Sequence, residues 1–176
     1  MCSINCLLTH KLVRSREMWF YSLDGDYIPI PGTIYAVYFE IQNAPNPCRK
    51  YHISSAATCG QAVADIVLPI LRAENIYHKI VRDWSSLLEQ TDGDFSDQAG
   101  KFITAYMDQA VEIRNRVMWR INAELQNSER TMPCPKLPTM RNGGSRPEDT
   151  RRYELPIFGG PKGPFIFGGF ECDPRD

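Results

Sequence analysis

The chain has 176 residues, with 20 Lys and Arg against 21 Asp and Glu and a formal net charge of −1. Hydrophobic residues make up 43% of it, which is typical of a globular domain. The balanced charge gives no global attraction to nucleic acid or to an anionic membrane surface, and no apolar run approaches the length of a membrane span.

The first 17 residues predict an N-terminal extension rather than a targeting segment. The run Cys6-Leu7-Leu8 is too short for the apolar core of a secretory signal, and the polar His10 and Lys11 follow it at once. We therefore expect a cytoplasmic protein.

The six cysteines are scattered along the chain and form no Cys-x-x-Cys pair. In a chain of this length they are too few for a dense disulfide framework. We expect reduced thiols that pack as small apolar groups. The six are Cys2, Cys6, Cys48, Cys59, Cys134 and Cys172.

Residues 18–55 favour β structure. Trp19-Phe20-Tyr21 begins an aromatic strand, and Asp24-Gly25 is typical of a turn because both residues tolerate positive φ. Residues 33–42 form the clearest strand, since they are rich in β-branched and aromatic side chains. Their apolar character on both faces predicts a central position in the sheet. Residues 50–55 alternate in polarity and predict a further strand.

A helical period begins at Thr58. Thr58 and Gln61 have the spacing of a capping box, and Pro69 predicts a kink or a break near Leu68. The apolar stripe of this helix consists of Val63, Ile66, Val67, Ile70 and Leu71.

Two further helices are predicted, over residues 76–90 and over residues 96–126. The second is the longer and contains no proline, and its apolar residues recur at spacings of three and four. Strands followed by helices indicate an α+β fold: a small antiparallel sheet followed by two to three helices, one of them long. We place this core domain at residues 18–130, after the extension at 1–17.

Residues 131–176 predict an extended Pro/Gly-rich aromatic C-terminal arm. They hold 8 of the 13 prolines and 7 of the 12 glycines, and one unit occurs twice, as Ile157-Phe158-Gly159-Gly160 and Ile166-Phe167-Gly168-Gly169. A disordered tail is poor in aromatics, so we expect this arm to dock on its own domain or on a partner. The predicted binding residues are Tyr153, Phe158, Phe165, Phe167 and Phe170 of the arm, and Trp119 of the long helix.

Cys59 and His52 are the candidates for catalysis. Cys59 falls in the predicted first turn of a helix, where the helix dipole lowers a thiol pKa. His52 lies seven residues earlier on the preceding strand and offers a base. A buried small residue at a strand-to-helix turn is the simpler explanation of Cys59, since no local cysteine-hydrolase signature surrounds it.

No metal or cofactor site is predicted. Cys48, His52, Cys59 and His78 are separated by three, six and eighteen residues, unlike common zinc spacings. The arginines beside Trp119 are interrupted by glutamates, which indicates a solvated helix face rather than a nucleic-acid patch.

These patterns favour a non-catalytic protein-binding module, either a toxin-neutralising (immunity-type) protein or an accessory subunit of an assembly. Its partner would be another protein or a second copy of the chain, with no nucleic acid and no membrane involved. The alternative is a small cysteine-dependent hydrolase or transferase that uses Cys59 and His52.

Overall fold

The fold is that of a computed structural model, which describes residues 25–40, 43–45, 48–92, 100–132 and 158–171. Its strands are β1 (Tyr27–Pro29), β2 (Tyr35–Tyr38), β3 (Arg49–Ile53), β4 (Tyr77–Val81), β5 (Ile103–Met107) and β6 (Ile166–Glu171). Its helices are α1 (Gly60–Ala73), α2 (Trp84–Asp92) and α3 (Val111–Asn127), with a short 3₁₀ turn at Ala57–Cys59 before α1.

The six strands form one antiparallel sheet in the order β1-β2-β4-β5-β3-β6. The predicted α+β class is confirmed. Strands and helices alternate along the chain, however, instead of forming two consecutive blocks. The strand predicted at residues 33–42 is β2, which is shorter than expected and lies between β1 and β4.

The strand register divides the side chains between two faces, because successive residues point to opposite sides of a sheet. Helix α1 packs on one of these faces, since the guanidinium of Arg72 lies over the rings of Tyr27 and Tyr38. The same face carries Ala36, Tyr51, Ile53, His78, Ile80, Ile103, Ala105, Met107 and Ile166. The opposite face carries Ile28, Tyr35, Val37, Lys50, His52, Tyr77, Lys79, Thr104, Tyr106 and Phe167.

The core lies between the helix-covered face and helices α1 and α3. The apolar stripe predicted for α1 is confirmed, with Ile66 half-buried at its margin. Helix α3 contributes four residues at helical spacing, so that one side of each helix closes over the sheet. The buried residues of the two helices are Val63, Val67, Leu68, Ile70 and Leu71 from α1, and Val117, Met118, Ile121 and Leu125 from α3.

The helix predicted over residues 76–90 is wrong in its first half. Helix α1 ends at Ala73, and Asn75 takes a positive φ of 52°, which Asn tolerates better than most residues. The chain then runs as strand β4. Helix α2 begins only after Asp83, whose side chain accepts a hydrogen bond from the Ser86 N–H at 2.8 Å and caps the helix.

The helix predicted over residues 96–126 is also wrong in its first half. Residues 103–107 form strand β5, and all five are buried. A strand covered on both faces is apolar throughout. Ile103, Tyr106 and Ala110 therefore have a helix-like spacing although no helix forms there. Helix α3 starts at Val111 and has 17 residues.

One local prediction about α1 fails, and a second is excluded in part. No side chain caps its N-terminus, so Thr58 and Gln61 do not form a capping box. Gln61 instead donates from Nε2 to Asp65 Oδ1 at 2.6 Å. Pro69 does not break the helix, which continues to Ala73 with the proline on its exposed side.

Part of the C-terminal arm belongs to the sheet. Strand β6 pairs with β3, with a register shift between Lys50 and Tyr51. Gly168 lies at this irregularity with a φ of +119°, and a Cβ there would overlap the carbonyl oxygen of Lys50. A glycine is therefore required at this position.

The cysteines differ in state. Cys59 carries a free thiol, as expected, whereas the expectation of a reduced thiol is wrong at Cys48, which is disulfide-bonded to a residue outside those described. Within the described ranges, none of the helices is both long and apolar enough to cross a membrane.

Candidate functional site

The two residues of the predicted nucleophile pair are both buried, each about 5% exposed. Cys59 ends the 3₁₀ turn before α1, and its Sγ lies 3.7 Å from Thr58 Oγ1. His52 lies in the middle of β3, where its Nδ1 is 3.0 Å from Thr104 Oγ1 of β5. In the part of the chain that the structure describes, no hydrogen bond joins Cys59 Sγ to His52.

A connected group of polar side chains lies where β1, β2 and β4 meet the C-terminal half of α1. His78 is fully buried in β4, and its Nδ1 lies 2.7 Å from the carbonyl oxygen of Ile76. Because a carbonyl only accepts, Nδ1 carries the proton. His78 Nε2 is then an acceptor, and the Tyr27 hydroxyl donates to it at 2.6 Å.

Arg72 joins this pair to the surface. Its Nη1 lies 2.8 Å from Asp26 Oδ2, and its Nε donates weakly to the Tyr27 hydroxyl at 3.4 Å. The guanidinium carbon lies 5.1 Å from the ring centroids of both Tyr27 and Tyr38, within the range of cation–π attraction. Tyr38 in turn stacks on His78 at 5.9 Å and donates from its hydroxyl to Glu40 at 2.7 Å.

Burial sets the charge states of His78 and Tyr27. Loss of hydration lowers the pKa of His78 to about 4, and the positive charge of Arg72 acts in the same direction. Loss of hydration also raises the pKa of Tyr27 to about 12. Both groups are therefore neutral near pH 7, whereas a general acid or base works best with a pKa near the operating pH.

Apolar side chains are exposed on the same two strands, where Ile28 and Val37 project from the face opposite to Tyr27 and Tyr38. Ile28 of β1 is 56% exposed and Phe39 at the end of β2 is 42% exposed, with Val37 half-buried between them. The rings of Phe39 and Tyr38 meet edge to face at 5.5 Å. We call Asp26, Ile28, Tyr38, Phe39 and Arg72 the β1–β2 patch. Tyrosine, phenylalanine and arginine are the residues enriched in protein interfaces.

The predicted binding residues of the arm lie largely inside the molecule. Phe158, Phe165 and Phe167 are all buried by the chain itself. Trp119 is 47% exposed and meets Phe158 edge to face, with ring centroids 5.1 Å apart. Phe170 lies in β6 opposite Lys50, while its side chain and the whole of Tyr153 lie outside the described residues.

Tyr27 and Arg72 were not singled out from the sequence, and His78 was considered only as a metal ligand with unsuitable spacing. The useful signals were Asn75, which is typical of a helix end, and Asp83, which is typical of a helix start. A helix that ends at Asn75 and another that starts at Asp83 leave only seven residues between them, enough for one short strand. Recognition of β4 would have placed His78 on the same face as Ile80.

The arrangement combines a neutral buried pair with an exposed rim of aromatic, apolar and charged side chains. Within the described residues, no three His, Cys, Asp or Glu side chains are grouped so as to hold a metal ion. No model of a known protein family matches the chain, and no curated protein matches it in sequence.

Proposed function

We propose that the chain is a non-catalytic protein-binding module that contacts its partner through the β1–β2 patch. The observation that carries the proposal is the exposure of Ile28 on β1 and of Phe39 at the end of β2, where Phe39 contacts Tyr38 edge to face. Aromatic residues and arginine supply most of the binding energy in protein interfaces, and adjoining apolar groups exclude water from them.

The buried network supports this use of the surface. Tyr38 is held between His78 and the Arg72 guanidinium, and Arg72 is held by Asp26. A side chain already fixed in place loses little conformational entropy on binding, so preorganisation raises affinity. The exposed carboxylates of Asp26 and Glu40 give the rim polar groups that orient a partner.

A toxin-neutralising protein and an accessory subunit both require such a surface, and we propose these as the two biological roles. In either role the partner is another protein or a second copy of the chain, with no nucleic acid and no membrane involved. We propose the cytoplasm as the location. The disulfide at Cys48 counts against this location, since disulfides persist in oxidising compartments, and it makes the location testable. Alkylation of thiols in intact cells, followed by mass spectrometry, should find Cys48 reduced if the protein is cytoplasmic.

The alternative function, a hydrolase or transferase that uses Cys59 and His52, requires the thiol to reach both a base and a substrate. Cys59→Ser tests it, because the change removes the nucleophile while keeping a small side chain. Under the binding proposal this variant retains full partner affinity. A hydrolytic or transfer activity that disappears in the folded Cys59→Ser variant would replace the proposal with the alternative.

The binding proposal is tested by affinity purification of the full chain from its own cells, with chemical cross-linking and mass spectrometry. Ile28→Ser with Phe39→Ser should reduce partner recovery at least tenfold, and the cross-links of the wild type should fall on the β1–β2 patch. Met132→Ser is the matched control, since Met132 is also exposed and apolar but lies beyond α3. Equal losses in the two variants, or full recovery by the patch variant, would contradict the proposal.

A further inference from the structure

The disulfide of Cys48 lies at one end of the β3–β6 pairing. Cys48 is buried and immediately precedes Arg49, the first residue of β3. Its partner lies outside the described residues, and it is not Cys59, whose thiol is free. The identity of the partner decides which part of the chain is tied covalently to β3. The remaining candidates are Cys2, Cys6, Cys134 and Cys172.

The register of the two strands selects one of these candidates. Lys50 lies opposite Phe170, and Arg49 lies opposite Glu171. In an antiparallel pair, one step back along β3 matches one step forward along β6, so position 48 lies opposite position 172. Opposed residues of such a pair have Cα atoms about 4.5–5.5 Å apart and side chains on the same face. Disulfides join Cα atoms about 4.4–6.8 Å apart, so cysteines at these two positions meet the geometric requirement.

We propose that Cys48 is bonded to Cys172 and that this disulfide clasps the outer end of β6 to β3. Cys172 directly follows Glu171, the last residue of β6. The other three candidates do not adjoin β5 or β6 in the sequence, and these are the described strands that pair with β3. The proposal is independent of the β1–β2 patch, because β1 and β6 lie at opposite edges of the sheet.

The clasp acts on the outer part of β6. The ladder is irregular at Gly168, which divides β6 into an inner and an outer part. On the inner side, Phe165 and Ile166 are completely buried, and the carbonyl oxygen of Phe165 accepts a hydrogen bond from the Ser54 N–H at 2.8 Å. On the outer side, residues 170–171 pair with β3 alone among the described strands. The end of an edge strand opens easily unless it is tied down, and a bond at position 172 keeps this end paired.

The bond forms by thiol–disulfide exchange with an external disulfide compound, such as oxidised glutathione. The thiolate of one cysteine attacks a sulfur of that compound and releases its first thiol. The thiolate of the second cysteine attacks the mixed disulfide and releases the other thiol. Cys48 and Cys172 together give up two electrons and two protons, and the oxidant takes them up as two thiols. A dithiol reductant reverses both steps, so the clasp closes in an oxidising compartment and opens in a reducing one.

Disulfide mapping of the full chain tests the pairing. The purified protein is equilibrated with oxidised glutathione, its remaining thiols are alkylated at acid pH, and it is digested with trypsin without reduction. Cys48 and Cys172 then lie on separate peptides, residues 17–49 and 163–175, and neither peptide contains another cysteine. Mass spectrometry should find these two peptides linked in material that runs as a monomer on a non-reducing gel. Cys48 linked to any other cysteine, joined to a second copy of the chain, or left as a thiol overturns the proposal.

Thermal unfolding measures the effect of the clasp on the whole chain. A cross-link across 124 positions (172 − 48) strongly restricts the unfolded chain, so Cys48→Ser with Cys172→Ser should lower the Tm of the oxidised protein by at least about 5 °C. Cys134→Ser is the matched control and should leave the Tm unchanged. A double variant that melts with the oxidised wild type, or a control that melts with the double variant, contradicts the proposal.

Amide hydrogen exchange shows where the clasp acts, in the wild-type chain before and after reduction. Reduction should speed exchange at least tenfold in residues 169–171, next to the broken bond. Residues 165–167 should keep their protection, because their burial does not depend on the disulfide. Unchanged exchange in residues 169–171 after complete reduction would show that the disulfide does not hold the outer end of β6, and the proposal would be wrong.

Discussion

Burial decides what His78 does in this protein. An exposed histidine changes charge near physiological pH, but His78 lies beneath α1 with a hydroxyl on one nitrogen and a carbonyl on the other. The hydrogen bond from Tyr27 requires Nε2 without a proton. A protonated ring would lose this acceptor and would leave a positive charge close to Arg72.

The first prediction is a loss of stability in acid that originates at His78. Its pKa is about 4 in the folded chain, below the ordinary value of 6.5, so the unfolded chain binds the proton more tightly. The full contribution is present above pH 6.5 and is lost as the pH falls from 6.5 toward 4, with a decrease of about 2 kcal/mol between pH 7 and pH 5. Urea unfolding at the two pH values measures it. His78→Gln should remove this part of the pH dependence, and equal slopes for the variant and the wild type would refute the assignment.

The second prediction compares two glycines of the arm. Gly168→Ala forces a left-handed φ on a residue with a side chain and drives its Cβ against the carbonyl oxygen of Lys50. We expect a loss of about 2–3 kcal/mol in the free energy of unfolding. Gly159→Ala is the control, because no atom lies within 4 Å of its added Cβ, and it should change stability by less than about 0.5 kcal/mol. Similar losses for both variants would show that β6 is not held in this register.

At the scale of secondary-structure elements, the sequence predicts best where one face is apolar and the other polar. Helix α1 is such an element, and its predicted stripe contains four of its buried residues, Val63, Val67, Ile70 and Leu71. Strand β5 is buried on both faces. Its continuous apolar residues therefore fit the helical period of about 3.6 as well as the strand period of two, and from the sequence they were assigned to a helix. The aromatic arm was recognised from its composition. The Tyr27–His78–Arg72 network could not be recognised in this way. It forms only because the sheet places β1 and β4 on either side of β2, which composition does not reveal.

The third prediction concerns the junction between α3 and residues 158–171, which we call the docked segment. Gln126→Ala removes two hydrogen bonds to the segment backbone, and we expect it to cost about 1–3 kcal/mol. Amide hydrogen exchange should quicken in residues 162–167. Glu124→Ala is the control, since Glu124 is exposed on the same helix, and it should leave this exchange unchanged. Protection in β6 that survives Gln126→Ala would mean that the β3 ladder alone holds the segment.

At the scale of the whole molecule, the docked segment is part of the core rather than an attachment to it. Phe158, Phe165 and Ile166 belong to the same buried cluster as Ile53, Val67 and Met118. A core shared by distant segments unfolds in one cooperative transition. Residues 158–171 and the strands near residue 53 are therefore expected to unfold together, although they are far apart in the sequence.

The fourth prediction follows from this shared core. Phe165→Ala should lower the free energy of unfolding by about 3–5 kcal/mol, because a completely buried ring leaves a cavity. Phe39→Ala, which removes a ring that is 42% exposed, should cost much less. Chemical denaturation followed by far-UV circular dichroism and by tryptophan fluorescence should give coincident curves for the wild type. Two separated transitions would show that β6 and the rest of the sheet unfold independently.

The position of β6 beside β3 has a consequence for synthesis of the protein. Residue 166 is added 113 residues after residue 53 (166 − 53), which takes the ribosome about 6–23 s at common elongation rates. During that interval the edge of β3 has no partner strand from this part of the chain, and the cavity for Phe165 is empty. The sheet is therefore completed only after residue 171 has been added, and until then the nascent chain exposes an unpaired strand edge.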